Sequence, residues 1–500
     1  MTVKRLLLGA LTVLAIVFVV GDLISSWSQP QFNNRLELYE TDLLLQASQW
    51  QGEPDAETAR KALSGVDPLK TALEQYQKTR ESAQKAVEVT KIRLVQPAPE
   101  SSLIQTPPAT QKQLARQQSL LDELDLRIGL LQTQQEKVNQ ALKTWEPIAD
   151  RSPTASILTG LWSDPPRLIP NAEAPIQKNL NGWFRYRALD KLYQLQQRSD
   201  AIRQLQVTEQ QIAKQAFFKW AIANLIPAAL GFSGLALLIF LVGQWFVRGK
   251  QAILSGTNGV TWATPWGGEI VWQVLVVGFF FVGQILLPLG IQIVRDQLKL
   301  SPEAFGERGK AAYFLITYLL LASGGLTVLY LSIKPFLPLP DGWFRATLRG
   351  KWFLWGFGGY LAAFPLVIIV SLVNQRIWQG QGGSNPILPI ALEGKDSLAI
   401  ATFFVTAAIA APIFEEIFFR GFLLPSLTRY FSAWQAILLS SFLFAIVHLS
   451  LSEVLPLMTL GVVLGLVYTR TQNLLASMLL HSLWNSGTLL SLFILGSGSS

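Results

Sequence analysis

Runs of about 20 apolar residues follow one another from residue 221 onward, and this constrains the fold more than any other feature of the chain. A hydrocarbon core of about 30 Å takes about 20 helical residues to cross. Inside it every backbone polar group must find its partner within the protein, which helices achieve on their own. The candidate spans are residues 221–247, 270–294, 311–333, 352–373, 398–411, 413–427, 434–449, 454–468 and 474–494. Several late ones are short, as expected of segments buried in protein or lining a cavity. An earlier run at 6–24 follows Lys4 and Arg5. It is long for a signal-peptide core and no clean small-x-small site follows, so it reads as an uncleaved anchor. The expected fold class is all-α, a polytopic membrane helical bundle.

Composition agrees with a membrane protein. Half of the residues are hydrophobic and 15% are charged, against about 25% charged in ordinary globular chains. The mean hydropathy is +0.32. Sixteen tryptophans suit a chain with many membrane–water interfaces. The absence of cysteine excludes disulfides, cysteine nucleophiles and thiolate metal sites. A net charge of +8 reads as loop anchoring at the cytoplasmic face. No block of Lys/Arg alternates with aromatics, so the expected partner is the lipid bilayer and not nucleic acid.

Residues 28–216 differ. They are rich in Gln, Glu, Lys and Leu and hold no run long enough to cross a bilayer. Leu114, Leu121, Leu124, Ile128, Leu131, Val138, Leu142 and Trp145 recur at heptad-like steps, which predicts a helix packed on others. Leu192, Leu195, Ile202, Leu205 and Ile212 form a second, less regular seam. Prolines at 97, 99, 107 and 108 predict a loop over 96–108, and Pro165-Pro166 another over about 147–175. The chain thus divides into an N-terminal membrane anchor (1–27), an inserted helical, coiled-coil-like extramembrane domain (28–216), flanking transmembrane helices (217–397) and a membrane core (398–495). The positive-inside rule puts the N-terminus in the cytoplasm and residues 28–216 on the opposite side. Arg248, Lys250, Lys334, Arg345, Arg349 and Lys351 agree with this, whereas Arg295, Lys299, Arg308 and Lys310 do not.

The chemistry lies in the last hundred residues. The chain has two histidines, His448 and His481, and both fall in apolar helical segments near the pair Glu415-Glu416. Ionisable groups within membrane spans are costly and mark function. Glu416 and Arg420 are four apart, in the favourable order for a helical ion pair. Glu415 points elsewhere and has no local cation. His481 and Asn485 are also four apart and share a face. A carboxylate beside an imidazole can hold and deprotonate water, and an imidazole with an amide can donate to a developing oxyanion. That set suffices for amide hydrolysis with no covalent intermediate and no cofactor. The structural alternatives are a scaffold network on Arg420 and a helix-packing role for Asn485. A zinc ion held by Glu415, His448 and His481 is the chemical alternative. A non-catalytic membrane scaffold or immunity-type protein, or a proton-relay transporter, are the other functional classes, and no inverted repeat favours the transporter.

Glu-Glu-x-x-x-Arg at 415–420, Phe-x-x-x-His at 444–448 and His-x-x-x-Asn at 481–485 occur in this order. Together they resemble the three motifs of the CPBP (Abi) family, whose members include type II CAAX prenyl endopeptidases and bacteriocin-processing proteins. The resemblance covers residues 398–495. It implies a membrane-embedded, glutamate-dependent intramembrane endopeptidase acting on a protein or peptide substrate. It also implies that Glu415 and His448 activate water, His481 and Asn485 stabilise the oxyanion, and Glu416 and Arg420 support the site. The anchor and the domain at 28–216 are additions to a minimal family architecture.

Overall fold

Apolar runs in this chain satisfy their backbone groups as helices throughout. The computed structural model describes residues 2–27, 29, 31, 33–52, 67–95, 107–257, 259–299, 305–385 and 387–496. In chain order the first helices are α1 Val3–Trp27, α2 Asn33–Ala47, α3 Pro68–Val95, α4 Pro107–Gln134, α5 Val138–Trp145, α6 Pro153–Trp162, α7 Glu173–Asn179, α8 Gly182–Leu195 and α9 Ser199–Arg248. They are followed by α10 Gly268–Gln297, α11 Glu307–Ile333, α12 Trp352–Trp378, α13 Ile387–Glu393, α14 Ser397–Leu427, α15 Ala433–Ile446, α16 Leu451–Thr471 and α17 Leu474–Gly496. No strand occurs among the described residues. Eight of the helices (α1, α9, α10, α11, α12, α14, α16 and α17) are long and apolar enough to cross a membrane, and α15 is apolar but shorter. The chain is a polytopic membrane helical bundle.

The fold has two compact units. One comprises Met1–Gln31 and Leu225–Phe493, the other Phe32–Asn224 with the residues from Ile494. The second unit is built on a core of Leu45, Tyr76, Leu124, Leu131, Trp145, Leu158, Phe184 and Leu192. Here the sequence reading needs three corrections. The seam at 114–145 is not one helix: the chain reverses at 135–137, where Glu136 adopts φ +62°. Trp145 then lies back on α4, its indole N–H donating to the Leu126 carbonyl at 3.2 Å. Gly129 makes the approach feasible, since a Cβ there would lie 2.1 Å from the indole nitrogen. The second seam is likewise divided, Leu192 and Leu195 falling in α8 and the rest in α9. Nor is 147–175 a plain loop, because α6 and α7 lie in it. Pro153 occupies the first turn of α6, where its missing N–H costs nothing, and Ser152 caps that turn by accepting from the Ala155 N–H. The loop expected at 96–108 lies outside the described residues up to 106, and Pro107 opens α4.

In the membrane unit three expectations change. Residues 398–411 and 413–427 are not two segments but one helix, α14. Two π-helical stretches, Thr406–Ala410 and Ile417–Leu423, widen it, and Pro412 lies two residues past the end of the first. A proline ring clashes with the carbonyl one turn back and lacks an N–H; a widened turn relieves both, so the helix continues. Conversely, 434–449 is not helical to its end. Helix α15 stops at Ile446, Leu449 turns the chain at φ +58°, and α16 begins at Leu451. His448 therefore sits on a tight inter-helix link and not within a helix. The span expected at 454–468 is longer, running from Leu451 to Thr471.

Close approach of backbones fixes this part of the bundle. A Cβ on Gly461 of α16 would lie 2.9 Å from the Cβ of Ser441 on α15, and one on Gly465 would lie 3.0 Å from Ile437. Small residues spaced by four permit such contacts in membranes. The core beside them is aromatic: Trp266, Phe418, Phe419, Phe422 and Phe444 are all fully buried.

Candidate active site

Helix α14 carries the two glutamates at the junction between its α-helical segment Ala411–Glu416 and its second π-helical stretch. π-Turns alter which side chains share a face and recur at functional sites. Glu416 and Arg420 are both fully buried. The Glu416 carboxylate accepts from Arg420 Nη1 at 2.8 Å and from His481 Nδ1 at 2.9 Å, both on Oε1. Arg420 Nη2 donates to the Gly461 carbonyl at 3.2 Å, and the guanidinium lies over the Phe444 ring at 4.5 Å. A cation buried this deeply needs such compensation on each face.

His481 links the two glutamates. With Nδ1–H donating to Glu416, its Nε2 faces Glu415 Oε2 at 3.8 Å. Glu415 thus has a neighbour that its own helix did not reveal. It also differs from Glu416 in surroundings: its side chain is 18% exposed, against 0% for Glu416.

His448 is oriented by the turn that carries it. Its Nδ1–H donates to the Phe444 carbonyl at 2.8 Å. A carbonyl only accepts, so this bond fixes the tautomer and leaves the lone pair on Nε2. The Phe444 ring lies edge-on to both imidazoles, 5.1 Å from His448 and 5.7 Å from His481. One side chain therefore spaces the two histidines and covers the arginine, which gives the Phe-x-x-x-His pattern a physical reason.

Glu415 and His448 line the same cavity of about 150 Å³. Its other polar walls are Tyr318 of α11 and Gln284 of α10, and its apolar walls include Phe279, Phe414, Phe419 and Val447. Within the described residues, neither Glu415 Oε2 nor the Tyr318 hydroxyl has a hydrogen-bond partner. His481 and Asn485 are not among the cavity walls. Asn485 donates through Nδ2 to the Ala407 carbonyl at 2.7 Å, and the Ser482 hydroxyl donates to the Ala408 carbonyl. These bonds tie α17 to the first π-helical stretch of α14. Asn485 has no hydrogen bond to the other six motif residues among the described residues.

Among the described residues, no group of three or more His, Asp or Glu side chains is placed to hold a metal ion. In the set considered for zinc, His481 turns Nδ1 to Glu416 and His448 turns Nδ1 to a backbone carbonyl, which leaves Nε2 of each imidazole for any ligand role.

Four residues near the site escaped the sequence reading. Tyr318 and Gln284 come from spans with no recognisable motif. Glu453 follows His448 by five residues. Its Oε1 accepts from the Asn385 N–H at 2.6 Å, and it interacts electrostatically with His448. Gly461 supplies the carbonyl for Arg420, and the small-x-x-x-small pair Gly461/Gly465 was the signal that could have found it.

Residues 397–487, close to a fifth of the chain, match the family model described as type II CAAX prenyl endopeptidase Rce1-like. All seven motif residues fall inside the match. No curated protein and no solved structure is similar enough to the chain to count as a match. Motif order, helical context and family model agree in likening residues 397–487 to type II CAAX prenyl endopeptidases of the Rce1-like kind.

Proposed function

We propose that this protein is a membrane-embedded endopeptidase that hydrolyses a peptide bond of a protein or peptide substrate. The observation that carries the reading is the shared cavity of Glu415 and His448, in which Glu415 Oε2 is unpartnered. Glu415 takes a proton from a water molecule held between it and His448 Nε2. The water oxygen forms a bond to the scissile carbonyl carbon, and the carbonyl π pair moves to oxygen. Collapse of that oxyanion breaks the C–N bond, and the proton held by Glu415 passes to the leaving amine. Atoms and charge balance, and no covalent enzyme intermediate is needed.

The remaining motif residues hold this pair in place. Arg420 fixes Glu416, Glu416 fixes His481, and His481 faces Glu415. Asn485 acts from the first π-helical stretch, through Ala407. We assign residues 1–27 to a membrane anchor and 28–216 to an extramembrane domain opposite a cytoplasmic N-terminus; protease protection of sealed inverted vesicles tests that sidedness.

The first probe is a prenylated peptide ending in a CAAX box, the substrate named in the family description. Glu415→Ala and His448→Ala are expected to lose turnover while inserting and melting like the wild type. Cleavage by purified Glu415→Ala would sink the mechanism.

A further inference from the structure

We propose that Ser26, near the C-terminal end of α1, is a positioning residue of the active site: acting on the first turn of α16, it holds the link that carries His448. This rests on the endopeptidase reading above and makes α1 a working part of the catalytic unit as well as its anchor.

His448 lies on the short link between α15 and α16, and its Nε2 serves only at a fixed place relative to Glu415. Upstream, α15 holds the link. The His448 N–H donates to the Ala445 carbonyl at 3.3 Å and the Leu449 N–H to the Ile446 carbonyl at 3.1 Å. Leu449 then turns the chain at φ +58°, and α16 starts with N–H groups that have no partner within the helix. Its N-cap residue, Ser450, makes no side-chain cap bond. That hydroxyl donates instead to the Gly382 carbonyl at 3.2 Å.

The missing partners come from two distant segments of the same compact unit. The Leu451 N–H donates to Ser26 Oγ at 3.2 Å, and the Ser452 N–H donates to the Gly382 carbonyl at 3.1 Å. Ser26 is buried, and its own hydroxyl proton goes to the Leu23 carbonyl at 2.8 Å, which aims its oxygen as an acceptor. Gly382 comes this close because it has no Cβ: at φ +106°, one would lie 2.9 Å from the Ser452 Cβ. The two segments also hold each other. The Gly383 N–H donates to the Gln29 carbonyl at 3.0 Å, and the Gln31 N–H donates to the Gly380 carbonyl at 2.8 Å. The downstream end of the link thus depends on α1 and on residues 380–383, and a small displacement there moves His448 against Glu415.

A second bond separates positioning from anchoring. The Trp272 indole N–H donates to Thr12 Oγ1 at 2.7 Å and ties α1 to α10. Thr12 lies about 21 Å along the helix from Ser26.

Ser26→Ala and Thr12→Val test this in the full-length protein, purified in detergent through a tag without histidine. The substrate is the host-membrane polypeptide whose new N-terminus depends on Glu415. The chain has two histidines, so protein isotope-labelled on its histidine nitrogens gives two imidazole spin systems, assigned with His448→Ala. Ser26→Ala is expected to lower kcat about 10–100-fold, with KM within about threefold, and to move the His448 signals while those of His481 stay. Thr12→Val is expected to leave kcat within about twofold and both imidazoles unmoved. A Ser26→Ala kcat within about threefold of wild type, or unmoved His448 signals, while Glu415→Gln is inactive, would overturn the assignment and leave the endopeptidase reading standing. An equal loss in Thr12→Val would also overturn it, because α1 would then act through the stability of the bundle and not through the link. Turnover retained by Glu415→Gln, or no cleavage by the wild type, would overturn both.

Discussion

Glu416→Gln is expected to weaken the membrane bundle as well as its activity. Glu416 and Arg420 are both fully buried, so the substitution leaves a guanidinium in apolar surroundings without its hydrogen-bonded counter-charge. Breaking a buried ion pair from one side costs about 3–5 kcal/mol. The amide oxygen of Gln still accepts from Arg420 and His481, and Gly461 and Phe444 still face the guanidinium. The loss should therefore fall near the low end, about 3 kcal/mol, with Glu416→Ala near the high end. For a cooperative unit of about 300 residues, the size of the membrane unit, 3 kcal/mol lowers the melting temperature by about 5 °C. Adding Arg420→Met removes the orphaned charge and should restore most of the loss, giving a coupling energy above about 1.5 kcal/mol in a double-mutant cycle. Thermal unfolding followed by tryptophan fluorescence in detergent reads all four proteins. A Glu416→Gln midpoint within about 1 °C of wild type, or losses that simply add, would refute the reasoning.

Phe444→Leu keeps much of the core volume but removes the ring that spaces His448, His481 and Arg420; we expect a stability loss under about 1.5 kcal/mol and a kcat about 10–100-fold lower. An unchanged kcat would show that the ring does not position the histidines. Exhaustive dialysis against EDTA should leave turnover intact, and a loss restored by zinc would put Glu415, His448 and His481 on a metal. In the unit built on Phe32–Asn224, the Tyr193 hydroxyl at 2.8 Å and Arg198 at 2.9 Å hold Glu173 below the usual carboxylate range. Its stabilising contribution is present in full above the unfolded value of about 4.3 and fades as pH falls through the lower folded value. Glu173→Gln should therefore cost stability at pH 7 but not at strongly acid pH; an equal offset at both, by circular dichroism, would contradict the coupling.

Much of this arrangement could be read from the chain because it is local. Residues four apart on a helix meet, so the Glu416–Arg420 contact followed from spacing alone. Apolar length located the membrane helices, although it split α14 at Pro412, since a composition pattern carries no sign that a π-turn will absorb the proline. It also extended α15 through His448, because an apolar run does not record a single left-handed residue such as Leu449. Contacts between distant segments were invisible for the same reason. His481 sits 65 residues from Glu416 and meets it only through helix packing. Tyr318 reaches the Glu415 cavity from another helix, with no local pattern to mark it. The reversal at Glu136 was hidden too, since an apolar seam keeps its rhythm when a helix folds back on itself.

The most direct test of the central claim compares protein N-termini in host membranes from three strains. One lacks this protein, one carries the wild type, and one carries Glu415→Gln at equal expression. The endopeptidase account predicts new N-termini in the wild-type strain alone, and those termini identify the substrate. Identical N-termini in all three strains, with any phenotype rescued equally by wild type and Glu415→Gln, would contradict it and leave a scaffold that binds its partner without cutting it.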